Sequence, residues 1–363
     1  MQNAFLPGTD LARHYYAEVV RPLLDRHAPG LDHSAALIGW GSEVLGFDSP
    51  RSADHNWGPR CQIFVGAGDA GRLAGLTAML ADQLPATFLG WPTRFPDVTA
   101  ASAAPVHWVQ VAELGEWLAG QLGRDPRAGM GLLDWLATPT QVLAELTGGA
   151  VFWDGLARRP ALLASGLEAT RAALAWYPDD VWRYVLACQW ARLGQEEAFP
   201  GRCAETGDDL GGLVMTARLV RDLMRLTMLM RRRYPPYSKW LGTAFARLSD
   251  VPEALEPRLS AAMCSRSWPD REQNLCAAYE LAAQMHNDLR LTGSVDVATR
   301  LFYDRPYRVL DAGRFAAALR DSIVTDEIRR LPMTGAVDQF VDSTDALTDP
   351  SLLRTAVSAQ LAN

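Results

Sequence analysis

The pair Gly41-Ser42 closes an apolar run, and after eleven intervening residues stands Asp54-His55-Asn56. A Gly-Ser turn at a strand end lets backbone N–H groups come close to phosphate oxygens. Two oxygen-bearing side chains at i and i+2 of a strand share one face, where they can hold a divalent metal together. This is the layout of a nucleotide-handling turn. Gly41, Ser42, Glu43, Asp48 and Ser52 are its candidate substrate contacts, and Asp54 and Asn56 its candidate catalytic residues.

The longer string, Gly41-Ser42-Glu43-Val44-Leu45-Gly46-Phe47-Asp48 through Asp54-His55-Asn56-Trp57-Gly58-Pro59-Arg60, resembles the signature of the polymerase-β-like nucleotidyltransferase superfamily. Within it the string is similar to an uncharacterised bacterial family of unknown function, and the resemblance covers nearly the whole chain. In the second half it is carried by Trp176 to Trp182, Gln195 to Phe199, Arg218 to Met224, Tyr237 to Trp240 and Val337 to Asp345. The resemblance implies a small mixed sheet with a metal site and a helical domain that closes over nucleotide and acceptor, as in aminoglycoside nucleotidyltransferases. It also implies a mechanism in which an Asp-x-Asp and a third carboxylate on a later strand hold two Mg2+ ions.

The chain departs from that pattern at two of the three positions. Asn56 stands where the family reads Asp, and Gln110, in the run Val106 to Val111, stands where an acid is expected. An amide offers an oxygen but no charge. At ~4 Å and an effective dielectric of ~20, each lost charge pair is worth about 4 kcal/mol before solvent compensation. The first expectation is therefore an enzyme of specialised small-molecule metabolism with a degenerate metal site. In it Asp54 performs metal-independent acid–base chemistry on a small metabolite, oriented by Asn56 and Gln110. No cofactor is expected under this reading. One alternative is an active nucleotidyltransferase moving a nucleoside monophosphate to a small hydroxylated acceptor, with Mg2+ on Asp54 and a nucleoside triphosphate. The other is a non-catalytic nucleotide-binding or interaction module. Two routes could rescue the metal site: Glu43 and Asp48 joining Asp54 from the loop, or Glu113 swinging in from beyond the strand.

Further candidates lie in the second half. Glu196 and Glu197 follow a helix, Arg192 pairing with Glu196 at four-residue spacing. As family-like residues they are candidates for an acceptor-side general base. Arg218 and Arg225 flank an apolar helical stripe and are candidate clamps for phosphate or carboxylate. Lys239 sits at a helix start, where a cation opposes the macrodipole unless it serves an anion.

These residues need elements to hold them. Residues 9–28 carry Leu11, Tyr15, Val19 and Leu23 at four-residue spacing, a helix with Thr9 or Asp10 as N-cap. Ala35 to Trp40, Cys61 to Val65 and Val106 to Val111 read as strands, Ala86 to Leu89 as a further strand candidate, and Arg72 to Gln83 as a helix. Beyond Leu132 helices are expected over 132–147, 161–176, 180–199, 210–234, 237–248, 252–265, 270–290, 295–303 and 311–323. The expected fold class is α+β: a nucleotidyltransferase-like mixed sheet with helices over 1–130, an all-α bundle over 131–330 and a tail over 331–363.

Composition narrows the partners. With 363 residues, 48% apolar, and 42 acidic against 35 basic side chains, the net charge of −7 gives no reason to expect nucleic acid. A small molecule is the expected partner, with a homodimer left open. No run of about 18 uncharged apolar residues suits a membrane, and the first residues lack a basic-then-apolar leader, so a soluble cytoplasmic protein is expected. Five cysteines without a C-x-x-C pair read as reduced thiols.

Overall fold

The computed structural model describes residues 5–54, 57–95, 106–158 and 166–361, with Asp54 described by its backbone alone. The chain forms two compact units, each drawn from two stretches: residues 1–130 with 142–175, and residues 131–141 with 176–363.

The first unit opens with Gly8–Tyr15 (α1) and Arg21–His27 (α2), joined by a π-helical turn over Tyr16–Val20. Pro22, which has no N–H to donate, sits in the first turn of α2, and a local widening of the ladder is one way a helix absorbs such a residue. The wide turn shifts the buried stripe by one residue. Leu11, Tyr15, Val20 and Leu24 are buried, while Val19 and Leu23, the expected positions, lie only partly covered. The N-cap is Pro7 rather than Thr9 or Asp10, and no capping side chain comes from the helix itself.

Next come His33–Leu37 (β1), Cys61–Val65 (β2), Leu73–Gln83 (α3), the ribbon Thr87–Phe88 (β3) with Trp91–Pro92 (β4), and the ribbon Arg94–Phe95 (β5) with Val106–His107 (β6). Val109–Glu113 (β7) runs directly into Leu114–Leu122 (α4). Pro139 splits the helix expected over 132–147 into Leu132–Ala137 (α5) and Thr140–Thr147 (α6). Ala150–Asp154 (β8) then adds a strand in a region expected to be wholly helical, followed by Leu167–Ala173 (α7).

The main sheet has the order β7-β2-β1-β8. β1 is antiparallel to both β2 and β8, and β2 is parallel to β7, the crossover between them carrying α3. Alternation along the strands sends Ala35, Ile63, Val65 and Val109 to the face packed by Leu11, Tyr15, Leu24, Leu76 and Leu80. It sends Ala36 and Phe64 to the face packed by Leu114, Leu118 and Leu167. The first unit is thus a sheet between two helical layers, and β1 is buried along its whole length.

The second unit contains α5 and the first residues of α6, then Asp179–Glu196 (α8), Phe199–Glu205 (α9), Asp209–Met230 (α10), Ser238–Ala246 (α11), Leu255–Cys264 (α12) and Trp268–Asp288 (α13). The helix expected over 295–303 is instead a ribbon of Arg300–Leu301 (β9) and Arg308–Val309 (β10). Gly313–Asp321 (α14) and the short Asp326–Arg329 (α15) follow. The tail is packed rather than free: Pro350–Leu361 (α16) lies against α5, and Arg354 pairs with the buried Asp134. Among the described residues no helix is long and apolar enough to cross a membrane. Cys61, Cys188 and Cys276 are buried thiols, and none of the five cysteines forms a disulfide.

Candidate functional site

The strand expected over Ala35 to Trp40 is His33–Leu37, and the Gly41-Ser42 turn follows β1 after Ile38, Gly39 and Trp40. Gly39 and Gly41 both have positive φ, at 82° and 132°, and Gly41 has no room for a side chain: a Cβ there would meet the Arg60 guanidinium and the Glu43 carboxylate. The turn is closed by Val44 N–H to the Gly41 carbonyl (3.2 Å) and Phe47 N–H to the Ser42 carbonyl (2.8 Å).

The carboxylates around the turn are already committed. Glu43, a candidate substrate contact, is 3% exposed, and its Oε1 accepts from Arg60 Nε (2.8 Å) and pairs with Arg60 Nη2 (2.7 Å). Arg60 Nη2 also donates to the Trp40 carbonyl at 2.6 Å, and the guanidinium lies 4.0 Å from the centre of the Trp40 ring. Asp48 supplies the first turn of α1 with the acceptor its own sequence lacks: its Oδ2 takes Gly8 N–H at 2.7 Å and Trp57 Nε1–H at 3.0 Å. Ser52 Oγ accepts from Ser49 N–H at 3.1 Å inside the 3-10 turn Pro50–Asp54.

Asp54 was expected at the start of the second strand, but it ends that 3-10 turn, and β2 begins only at Cys61. His55 and Asn56 lie outside the described residues. On the sheet itself two glutamines face each other in register, Gln62 of β2 and Gln110 of β7. Gln62 is buried and spans to the backbone of Ile38, donating to its carbonyl (2.9 Å) and accepting its N–H (3.2 Å). Gln110 is exposed.

Glu113, expected to stand off the strand, is its last residue, and its carboxylate accepts Glu116 N–H at 2.6 Å as the cap of α4, with Arg127 3.8 Å away. Among the described residues no three His, Cys, Asp or Glu side chains are grouped to hold a metal. The described donors at the turn, an ion-paired glutamate and two amides, do not fit a two-Mg2+ site.

The second-half candidates are placed in the second unit. Glu196 does not pair with Arg192 but with Arg218, at 2.6 Å, and Arg192 turns to Asp222 (3.3 Å) and the Gln339 carbonyl (2.6 Å). Glu197 is buried. Its Oε2 accepts Leu310 N–H (2.7 Å) and Asp311 N–H (3.1 Å), and its Oε1 accepts Ala312 N–H (2.9 Å), which anchors the segment leading into α14. Burial pushes the Glu197 carboxyl up to about 7 against the pull of those three donors.

Arg225 donates to the Asp338 carbonyl at 2.9 Å, and its guanidinium lies 3.8 Å from the Asp338 carboxylate. That carboxylate accepts Thr140 N–H (2.8 Å) and Thr140 Oγ1–H (3.2 Å). Burial raises the Asp338 carboxyl despite Arg225. Thr140, Tyr177, Gln189, Arg225, Asp338 and Gln339 line a cavity of about 10 Å³, too small for a metabolite. Lys239, the second residue of α11, is exposed, its Nζ 4.9 Å from the Trp240 ring centre.

Sequence reasoning missed this binding of the 336–342 segment to α8 and α10. The string Val337 to Asp345 was singled out, but its partners are more than a hundred residues away.

Residues 135–241 match a family described as a domain of unknown function, DUF4037. The stretch takes in Glu196, Glu197, Arg218, Arg225 and Lys239, while Gly41 to Asn56 and Gln110 fall outside it. No curated protein and no solved structure matches the chain.

Proposed function

We propose that the chain is an enzyme of small-molecule metabolism with a nucleotidyltransferase-like first unit. In this reading the Gly41-Ser42 turn receives the phosphates of a small metabolite, and Asp54 performs acid–base chemistry without a carboxylate-held pair of metal ions. One observation carries this reading: the described carboxylates around the turn are spent inside the fold. Glu43 is neutralised by Arg60, Asp48 caps α1, and the facing positions Gln62 and Gln110, level with the last residues of β1, are amides; Glu113 lies at the other end of the sheet, level with His33, where it caps α4. The order β7-β2-β1, with the turn between antiparallel β1 and β2, is in keeping with the superfamily arrangement that the sequence resembles.

A carboxylate that shares its site with amides titrates according to its own desolvation and hydrogen bonds, as suits a general base that takes a proton from a substrate hydroxyl. Asn56 and Gln110 then orient the substrate through neutral hydrogen bonds.

The test is calorimetric titration of the full chain with ATP and GTP, with and without Mg2+ and Mn2+, repeated for Asp54→Asn. Binding that needs no metal, retained in Asp54→Asn while turnover of phosphorylated metabolites is lost, is the expected result. Metal-dependent release of pyrophosphate by the unaltered protein overturns it in favour of nucleotidyl transfer. If the double replacement Asn56→Asp, Gln110→Glu creates that release where the parent shows none, transfer is not the native reaction.

A further inference from the structure

We propose that Trp40 is a stacking platform for a planar ring, which makes the ligand of the turn a nucleotide rather than a sugar phosphate or another non-aromatic phosphate. This rests on the reading of Gly41-Ser42 as the phosphate-binding turn. Of the twelve tryptophans, Trp40 alone is exposed, at 52%. It is the residue immediately before that turn, so a ring held on it and phosphates held at Gly41-Ser42 belong to one molecule of modest length.

The platform is built before any ligand arrives. Gly39 and Gly41 take the positive φ that the backbone needs on either side, and the Trp40 carbonyl is held by Arg60 Nη2 at 2.6 Å. The Arg60 guanidinium covers one face of the indole at 4.0 Å, and Arg60 is itself immobilised at 3% exposure by Glu43. Trp108 meets the indole edge-on, with centroids 6.1 Å apart and planes at 79°, and Trp108 is stacked on Phe95 at 3.8 Å. An aromatic ring fixed in this way loses little freedom when a base stacks on it.

The cation also sets the chemistry of the partner. A guanidinium on one face draws π density toward itself. The other face then disfavours a second cation and favours a neutral, electron-rich heteroaromatic ring, of which a purine is the fitting class.

The test compares ATP with inorganic tripolyphosphate by calorimetry on the full chain, for the unaltered protein, Trp40→Ala, Trp40→Leu and Trp40→Phe, with tryptophan fluorescence as a second readout. Trp40→Ala and Trp40→Leu should weaken ATP binding about tenfold and leave tripolyphosphate unchanged, and Trp40→Phe should keep most of the affinity. Binding of ATP, but not of tripolyphosphate, should quench tryptophan emission in the unaltered protein. Equal ATP affinity across the four proteins overturns the platform while leaving the phosphate reading intact. An equal loss for ATP and tripolyphosphate also overturns it, because Trp40 would then act by shaping the turn. Failure of the unaltered protein to bind either compound removes the phosphate reading and the platform with it.

Discussion

Replacing Glu197 by alanine takes one carboxylate away from three backbone donors at once. Leu310 and Ala312 are buried, so their N–H groups find no water, while the amide of the exposed Asp311 can. An orphaned buried donor costs about 1–3 kcal/mol, and two of them put Glu197→Ala about 4 kcal/mol below the unaltered protein at pH 5. The pH dependence adds a second signature. The folded carboxyl is pushed up to about 7 from an ordinary value of 4.5. Between those values the folded state holds a proton that the unfolded state has released, so this group's contribution to stability is fully present below 4.5 and falls as pH rises through 7. The fall amounts to about 3 kcal/mol.

Neither Glu197→Ala nor the near-isosteric Glu197→Gln carries that titration. Glu197→Gln should lie within about 1 kcal/mol of the unaltered protein at pH 5, and the balance should move in favour of both variants, by the same amount, as pH rises to 8. Urea unfolding at several pH values measures the gaps, and amide exchange at residues 310–312 assigns them to this anchor. A gap for Glu197→Ala below about 1 kcal/mol at pH 5, or gaps that widen toward pH 8, would refute the reasoning.

Three further outcomes follow from the contacts. Asp338→Ala leaves Thr140 N–H without its buried acceptor and the Arg225 guanidinium without its counter-charge, and should cost about 3–5 kcal/mol in urea unfolding, with Asp338→Asn costing less than half of that. Arg60→Ala leaves Glu43 charged and buried, so a double-mutant cycle with Glu43→Gln should give a coupling of about 2 kcal/mol or more; additivity would show the pair to be incidental. Asp48→Ala should destabilise the first unit by about 1 kcal/mol and speed amide exchange in the first turn of α1, leaving α2 unchanged.

The elements that proved legible were those whose signal is local. Cys61 to Val65 is a mostly apolar run entered through Gly58-Pro59 and closed by Gly66, and it is the strand read from it. Val19 and Leu23 kept a perfect four-residue spacing yet lost the core to Val20 and Leu24, because the π-turn that moves the stripe leaves no periodic trace. Ala150 to Asp154 is five residues long between glycines, and only pairing with β1, more than a hundred residues earlier, makes it a strand. Arg192 and Glu196 had ideal spacing on one helix, but Asp222 and Arg218 on α10 offered each a partner.

The turn was readable for the same reason: Gly41-Ser42 ends an apolar run, and it does follow β1, although the strand stops at Leu37 rather than Trp40. The partners around it were not, since nothing in the local pattern joins Glu43 to Arg60 or Asp48 to Gly8. Nor does it show Trp40, the end of an apolar run, lying half in solvent.

The place of β8 has a consequence for how the chain is made. Strands β1, β2 and β7 have all left the ribosome by residue 113, but the second edge of β1 stays bare until residue 154 emerges, a few seconds later at ordinary rates of synthesis. During that interval the nascent sheet presents an unpaired row of backbone donors and acceptors, which invites pairing with a neighbouring nascent chain. A fragment ending at residue 130 would make that interval permanent, so the stretch that reads as a separable first domain would leave an edge of its own central strand unpaired.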